Sequence, residues 1–268
     1  MLKKLLKYDL KAINKYFMPM SIFFLAYSLI ATLFFQIGND KSKSELHHLI
    51  VILIIAAFII MIIAYCVITQ GLIVVNFFKS MVTDTGYLTH TLPVKKSTLI
   101  LSKTIASMIT FIISGIVMLL CLAAFFDLPR NFSNLYPDII DFVHIVTETL
   151  GAGVTIMTII TSLLLLLASL LYAISVYFVS IALGQLINHH KIIASLLSYF
   201  ILTLLLQVIF MVIFSTSNTT INSISALKNL DTTIIPLYLG WHALLTTIFA
   251  TGFLFLTNWI FSKKLNLD

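Results

Sequence analysis

Six long apolar stretches follow one another along this chain, and each is long enough to cross a lipid bilayer. A helix rises about 1.5 Å per residue, so about 20 apolar residues cross roughly 30 Å of hydrocarbon. The predicted spans cover residues 17–37, 49–75, 99–126, 154–183, 192–214 and 240–261. Backbone groups inside a bilayer must hydrogen-bond to each other, which favours helices. The sequence therefore predicts an all-α, polytopic membrane protein with six transmembrane helices.

The composition argues against a water-soluble fold. Hydrophobic residues make up 60% of the 268 residues and charged residues only 10%, whereas soluble domains carry roughly 25% charged residues. The net charge of +6 lies in short segments beside the apolar stretches and not on a polar domain. This distribution is typical of topology signals, so we expect no nucleic-acid partner.

The fourth stretch is long enough for two spans, because residues 149–188 are 40 uncharged residues in a row. No Gly or Pro interrupts it between Gly153 and Gly184, and turn residues would be needed to reverse the chain. We therefore predict one long helix over residues 154–183.

The distribution of charge supports this count. With six spans and an inside N-terminus, the inside segments hold 12 of the 16 basic residues and the outside loops hold 7 of the 10 acidic residues. Splitting the fourth stretch would move Lys263 and Lys264 outside. Because basic residues concentrate on the cytoplasmic side, we predict a multi-pass protein of the plasma membrane with both termini, including the short tail 263–268, in the cytoplasm.

Residues 1–16 are predicted to form a separate element before the first span. Lysines and apolar residues both recur there at helical spacing: Lys3, Lys7, Lys11 and Lys15, and Leu2, Leu6, Leu10 and Ile13. This pattern indicates an N-terminal amphipathic helix that lies along the cytoplasmic membrane face. A solvated run of charges is the alternative.

The centres of the predicted spans contain no Asp, Glu, Lys or Arg. Ion-coupled transporters bind their driving ion with ionisable side chains at membrane depth, so this absence disfavours secondary transport. Neighbouring histidines such as His47 and His48 point about 100° apart on a helix and do not converge on a metal. No GxxxxGK[ST] phosphate loop is present. We therefore expect no enzymatic activity and no cofactor, and energy for transport would come from another chain.

The connection over residues 76–103 has the features of a docking segment. An apolar patch at helical spacing opens it: Phe77, Phe78, Met81 and Val82. Asp84 and Gly86 end that pattern, Pro93 disfavours helix at the residue before it, and Ser97 or Thr98 can cap the next helix. A short element with exposed aromatic side chains suits a cytoplasmic partner. An interfacial loop whose aromatic side chains face the membrane is the alternative.

This segment and the six-span architecture resemble the permease subunits of type 2 ABC transporters of the bacterial exporter class. The similar stretch is Thr-Gly-Tyr-Leu-Thr-His-Thr-Leu-Pro-Val at residues 85–94, followed by a basic pair and by Leu-Ser-Lys within residues 99–103. The resemblance implies that the first cytoplasmic loop is a coupling helix that inserts into a separate ATPase subunit. It also implies a short outer helical segment before the last span, at residues 221–230.

The resemblance implies an ATPase-coupling role for six residues: Phe77, Phe78, Met81, Asp84, Tyr87 and Leu88. It implies three kinds of partner, which are a separate ABC ATPase, a second permease copy (identical or related) and membrane lipid. The implied function is export of a hydrophobic or amphipathic substrate, such as a peptide or a drug. Two other functions stay open, a non-transporting membrane assembly or sensor subunit and, less favoured, a secondary transporter or channel.

Overall fold

The computed structural model describes residues 2–37, 45–83, 94–125, 137, 140–141, 143–187, 191–228 and 234–263. Within 35–48 and 217–228 it describes only the backbone of these residues. Six long helices account for most of them: α1 (Leu2–Ile37), α2 (Glu45–Met81), α3 (Lys96–Phe125), α4 (Ala152–Gly184), α5 (Lys191–Lys228) and α6 (Ile234–Lys263). Each contains a segment long and apolar enough to cross a membrane. The prediction of an all-α polytopic membrane protein is confirmed.

The fourth apolar stretch contains one helix, α4, of 33 residues. Gly151 precedes it with φ 83, a left-handed conformation that glycine adopts without the steric cost of a Cβ. This residue separates α4 from a helical stretch at residues 143–150. The backbone therefore changes direction before the span and not within it.

The amphipathic segment and the first span form one continuous helix, α1, of 36 residues with Pro19 inside it. Leu6, Leu10, Ile13 and Phe17 share one side of this helix and pack in the same apolar core. The N-terminal pattern is thus the beginning of the core-facing side of the span. The location of residues 1–16 along the membrane face stays a prediction.

Two compact units divide the chain, and the first comprises Met1–Phe77 and Ile105–Asp141. Stacked aromatic rings form its core, with centroids 4.9 Å apart for Phe24 and Tyr65, and 3.8 Å apart for Phe58 and Phe125. The Thr32 hydroxyl donates a hydrogen bond of 2.8 Å to the carbonyl of Ala124. These contacts hold α1 and α2 against α3.

The second unit comprises Phe78–Thr104 and Phe142–Asp268, and α4 packs in it against both α5 and α6. Several apolar side chains in the C-terminal half of α4 are buried: Ile174, Phe178, Val179, Ile181 and Ala182. Helix α5 continues without a break through residues 221–228, where the resemblance implies a separate outer segment. Residues 229 and 230 lie outside the described part of the chain.

Candidate functional site around the α2–α3 connection

The predicted coupling residues that the structure describes lie in the last turns of α2. This helix extends six residues beyond the predicted span and ends at Met81. The backbone N–H of Val82 donates to the carbonyl of Phe78 at 2.9 Å, which continues the helical hydrogen bonding for one more residue. Of the remaining coupling residues, Asp84, Tyr87 and Leu88 lie outside the described residues.

The three described coupling side chains, Phe77, Phe78 and Met81, differ in burial. Phe77 is 1% exposed and Met81 is 0% exposed, so both are covered by the chain itself. Phe78 is half-buried and keeps accessible surface. The structure therefore leaves one side chain of this described group, Phe78, with a surface that a partner can contact. The spacing of four residues between Phe77 and Met81 indicates a shared helix face, but it does not indicate what covers that face.

On the other side of the connection, α3 begins at Lys96, three residues before the predicted span. The backbone N–H groups of Thr98 and Leu99 both donate to the carbonyl of Lys95, at 2.9 Å and 3.4 Å. The predicted caps, Ser97 and Thr98, are thus already part of the first turn.

A long-range contact joins the start of α3 to the end of α6. The ammonium Nζ of Lys96 donates a hydrogen bond of 2.7 Å to the carbonyl of Phe261. Phe261 is two residues before the last residue of α6, so its carbonyl is one of those without a partner inside the helix. A cation at this end also interacts favourably with the helix dipole. Sequence reasoning used Lys95 and Lys96 as topology signals and as the basic pair of the similar stretch, and it missed this contact.

The first turns of α3 also carry buried polar side chains. Lys103 is 5% exposed, and Ser102 and Thr104 are buried beside it. Lys103 interacts with another group of the protein, as a buried ammonium requires. The structure therefore encloses a charged side chain close to the start of the predicted span 99–126.

A second candidate site lies between α4 and α5, where a cavity of about 260 Å³ opens. Its walls come from four residues of α4 and five of α5: Tyr172, Ala173, Val176 and Tyr177, and Tyr199, Thr203, Leu206, Gln207 and Phe210. Sequence reasoning missed this cavity. The available signal was Gln207, an amide within the apolar stretch 192–214.

Metal binding has no support in the part of the chain that the structure describes. No group of three or more His, Cys, Asp or Glu side chains there is placed to hold an ion. The two cysteines, Cys66 and Cys121, are free thiols within helices.

Comparison of the chain with protein-family profiles, curated proteins and solved structures gave no match.

Proposed function

We propose that this chain is the permease subunit of an ABC transporter of the type 2 class. It forms the translocation pathway and exports a hydrophobic or amphipathic molecule, such as a peptide or a drug. A separate ATPase subunit hydrolyses ATP, because this sequence has no phosphate loop. A second permease copy, identical or related, completes the pathway.

The contact between Lys96 and Phe261 carries this proposal. A coupling segment transmits force only if both of its ends are attached firmly to membrane helices. Residues 82–95 follow directly from the last turn of α2, and at their other end Lys96 is bonded to the α6 terminus at 2.7 Å. A displacement of this connection by a partner would therefore move α6 as well as α3.

Phe78 supports a docking role because its side chain is partly accessible at the entrance to the connection. Aromatic side chains that fill a pocket on a partner commonly dominate the energy of an interface. Phe77 and Met81 have a different role in this proposal. They are buried, so they contribute to packing within the protein and not to contact with the partner.

The burial of Phe77 and Met81 also favours a second candidate function. A non-transporting membrane assembly or sensor subunit needs no apolar docking surface for an ATPase, and two of the proposed coupling side chains are already covered. The two functions differ in the partner that contacts Phe78. The first requires an ATPase there, and the second does not.

Photo-cross-linking in native membranes tests the proposal. The chain carries p-benzoylphenylalanine at position 78 in one sample and at position 255 in the control, since Phe255 on α6 is 72% exposed. We expect position 78 to cross-link to a chain that contains a phosphate loop and hydrolyses ATP, and position 255 to cross-link to lipid. Cross-links from position 78 to lipid alone, or to a chain without ATPase activity, contradict the proposal.

A further inference from the structure

We propose that the cavity between α4 and α5 binds a neutral amphipathic molecule. A ring or short apolar chain of this ligand lies against the aromatic walls, and its amide or hydroxyl group hydrogen-bonds to Gln207. The inference extends the proposed function and rests on it only in identifying the ligand as a transported substrate.

The walls of the cavity are aromatic and support one another. Tyr172 and Phe210 meet edge to face with ring centroids 5.5 Å apart, and the rings of Tyr177 and Tyr199 are 5.6 Å apart. Rings that contact one another provide an ordered apolar surface against which a ligand ring can pack.

Gln207 supplies an amide group, and its side chain is exposed on the surface of α5. It lies 16 residues after Lys191 and nine before Thr216, the ends of the apolar part of α5, and is therefore deep within the span. No hydrogen bond connects its amide with any other residue that the structure describes. Leaving an amide unpaired in hydrocarbon is costly. A ligand with an amide or hydroxyl group removes that cost, because glutamine both donates and accepts hydrogen bonds.

Thr203, which also lines the cavity, has a hydroxyl that is already engaged. The Thr203 hydroxyl donates to the carbonyls of Tyr199 and Phe200 at 2.8 Å and 3.0 Å, so its proton is held by its own helix. Apart from the tyrosine hydroxyls, Gln207 is therefore the lining side chain that can donate a hydrogen bond to an acceptor on the ligand.

The chemistry of the walls selects a neutral ligand, and the volume limits its size. None of the nine lining residues is ionisable as an acid or a base near neutral pH, so a charged ligand finds no counter-ion at this depth. A cavity of about 260 Å³ is slightly below the usual range for drug-sized ligands, about 300–1,000 Å³. It accommodates one ring with one polar group, and a larger molecule would place only such a part in it.

Three probes with the same number of heavy atoms distinguish the ligand classes. N-benzylacetamide is neutral with an amide, pentylbenzene is purely apolar, and benzyltrimethylammonium is a cation. Saturation-transfer NMR on the full chain in detergent micelles measures the saturable binding of each. We expect N-benzylacetamide to bind most tightly, and Gln207→Leu to weaken its affinity about tenfold, the loss that about 1.4 kcal/mol produces.

Two further variants complete the experiment. Ala173→Leu fills the cavity but keeps Gln207, and it should abolish saturable binding even if Gln207→Leu folds poorly. Thr251→Val is the control, because the Thr251 hydroxyl bonds only to carbonyls of its own helix, α6, away from the cavity. Its affinity should equal that of the wild type. Unchanged binding by the Gln207 and Ala173 variants, or tighter binding of the cation or of pentylbenzene, would overturn the inference.

The outcome is separable from that of the proposed function. Binding is measured on the isolated chain without an ATPase, whereas cross-linking at position 78 reports on the ATPase alone. Cross-linking that finds no ATPase, together with selective binding of N-benzylacetamide, would reject the permease assignment and keep the binding site.

Discussion

Gly184, the last residue of α4, lies directly against Ser195 in the second turn of α5. A Cβ atom at position 184 would stand 2.6 Å from both the Cα and the backbone nitrogen of Ser195. Because these atoms belong to the backbone, neither can rotate away. The two helices approach this closely only because residue 184 has no side chain, which is the usual use of small residues between membrane helices. The same pair of helices forms the walls of the cavity around Gln207.

We therefore expect Gly184→Ala to lower the free energy of unfolding by about 1–3 kcal/mol, the usual cost of overpacking. Thermal unfolding of the purified chain in detergent measures the effect. Gly115→Ala in α3 is the matched control, since no atom lies within 4 Å of a Cβ at that position. Alanine is also the better helix former, so the control should be as stable as the wild type or slightly more so. Equal melting temperatures for both variants would show that the helices do not meet at Gly184.

Lys96 provides a second prediction. Lys96→Met removes the ammonium group but keeps a long side chain, so the carbonyl of Phe261 loses its 2.7 Å hydrogen bond. Hydrogen bonds to charged groups contribute about 1.5–3 kcal/mol, and the partial exposure of Lys96 reduces the expected loss to about 1 kcal/mol. Hydrogen exchange of the last turn of α6 should accelerate in this variant.

The control for Lys96 is its neighbour Lys95, which is exposed. Lys95→Met removes the same charge from the same region and should leave both the stability and the exchange rates of α6 unchanged. If the two variants behave alike, the contribution of Lys96 is general electrostatics and not the contact with Phe261.

Membrane topology gives a third prediction. After replacement of Cys66 and Cys121, single cysteines at Ser133 and Thr219 should react with a membrane-impermeant maleimide added to intact cells. A cysteine at Thr89 should react only after the membrane is opened, because the distribution of basic residues predicts that the α2–α3 connection is cytoplasmic. Labelling of position 89 in sealed cells would reverse the predicted orientation.

The six helices follow from the sequence because membrane insertion leaves few alternatives. A stretch such as residues 192–214 has to be helical, since no other open structure satisfies its backbone in hydrocarbon. The single helix α4 follows for the same reason, as no turn residue lies between Gly153 and Gly184. These conclusions depend only on the composition of each stretch and not on its neighbours.

The contacts between the helices did not follow from the sequence. Lys96 and Phe261 are 165 residues apart, and no local pattern indicates that they meet. Periodicity places Phe77 and Met81 on one face of α2, but the burial of both depends on what packs there. The cavity likewise needs α4 and α5 together, and Gln207 alone shows only that one polar group lies at membrane depth.

The final prediction separates docking from packing in the last turn of α2. Under the proposed function, Phe78→Ala should lower ATPase association by about 2 kcal/mol, as for a typical interface hot spot, and leave the melting temperature of the isolated chain unchanged. Phe77→Ala should leave ATPase association unchanged and lower the melting temperature of the isolated chain. Its side chain is buried, so its removal should cost about 3–5 kcal/mol of stability.

ATPase association and thermal stability are measured on the same preparations of each variant. The amount of ATPase that co-purifies with each variant measures association, and thermal unfolding of the ATPase-free chain measures stability. Met81→Ala should resemble Phe77→Ala, because Met81 is also completely buried. If Phe78→Ala destabilises the chain and retains a full complement of ATPase, then Phe78 is a packing residue. The docking surface would then have to lie elsewhere on the connection between α2 and α3.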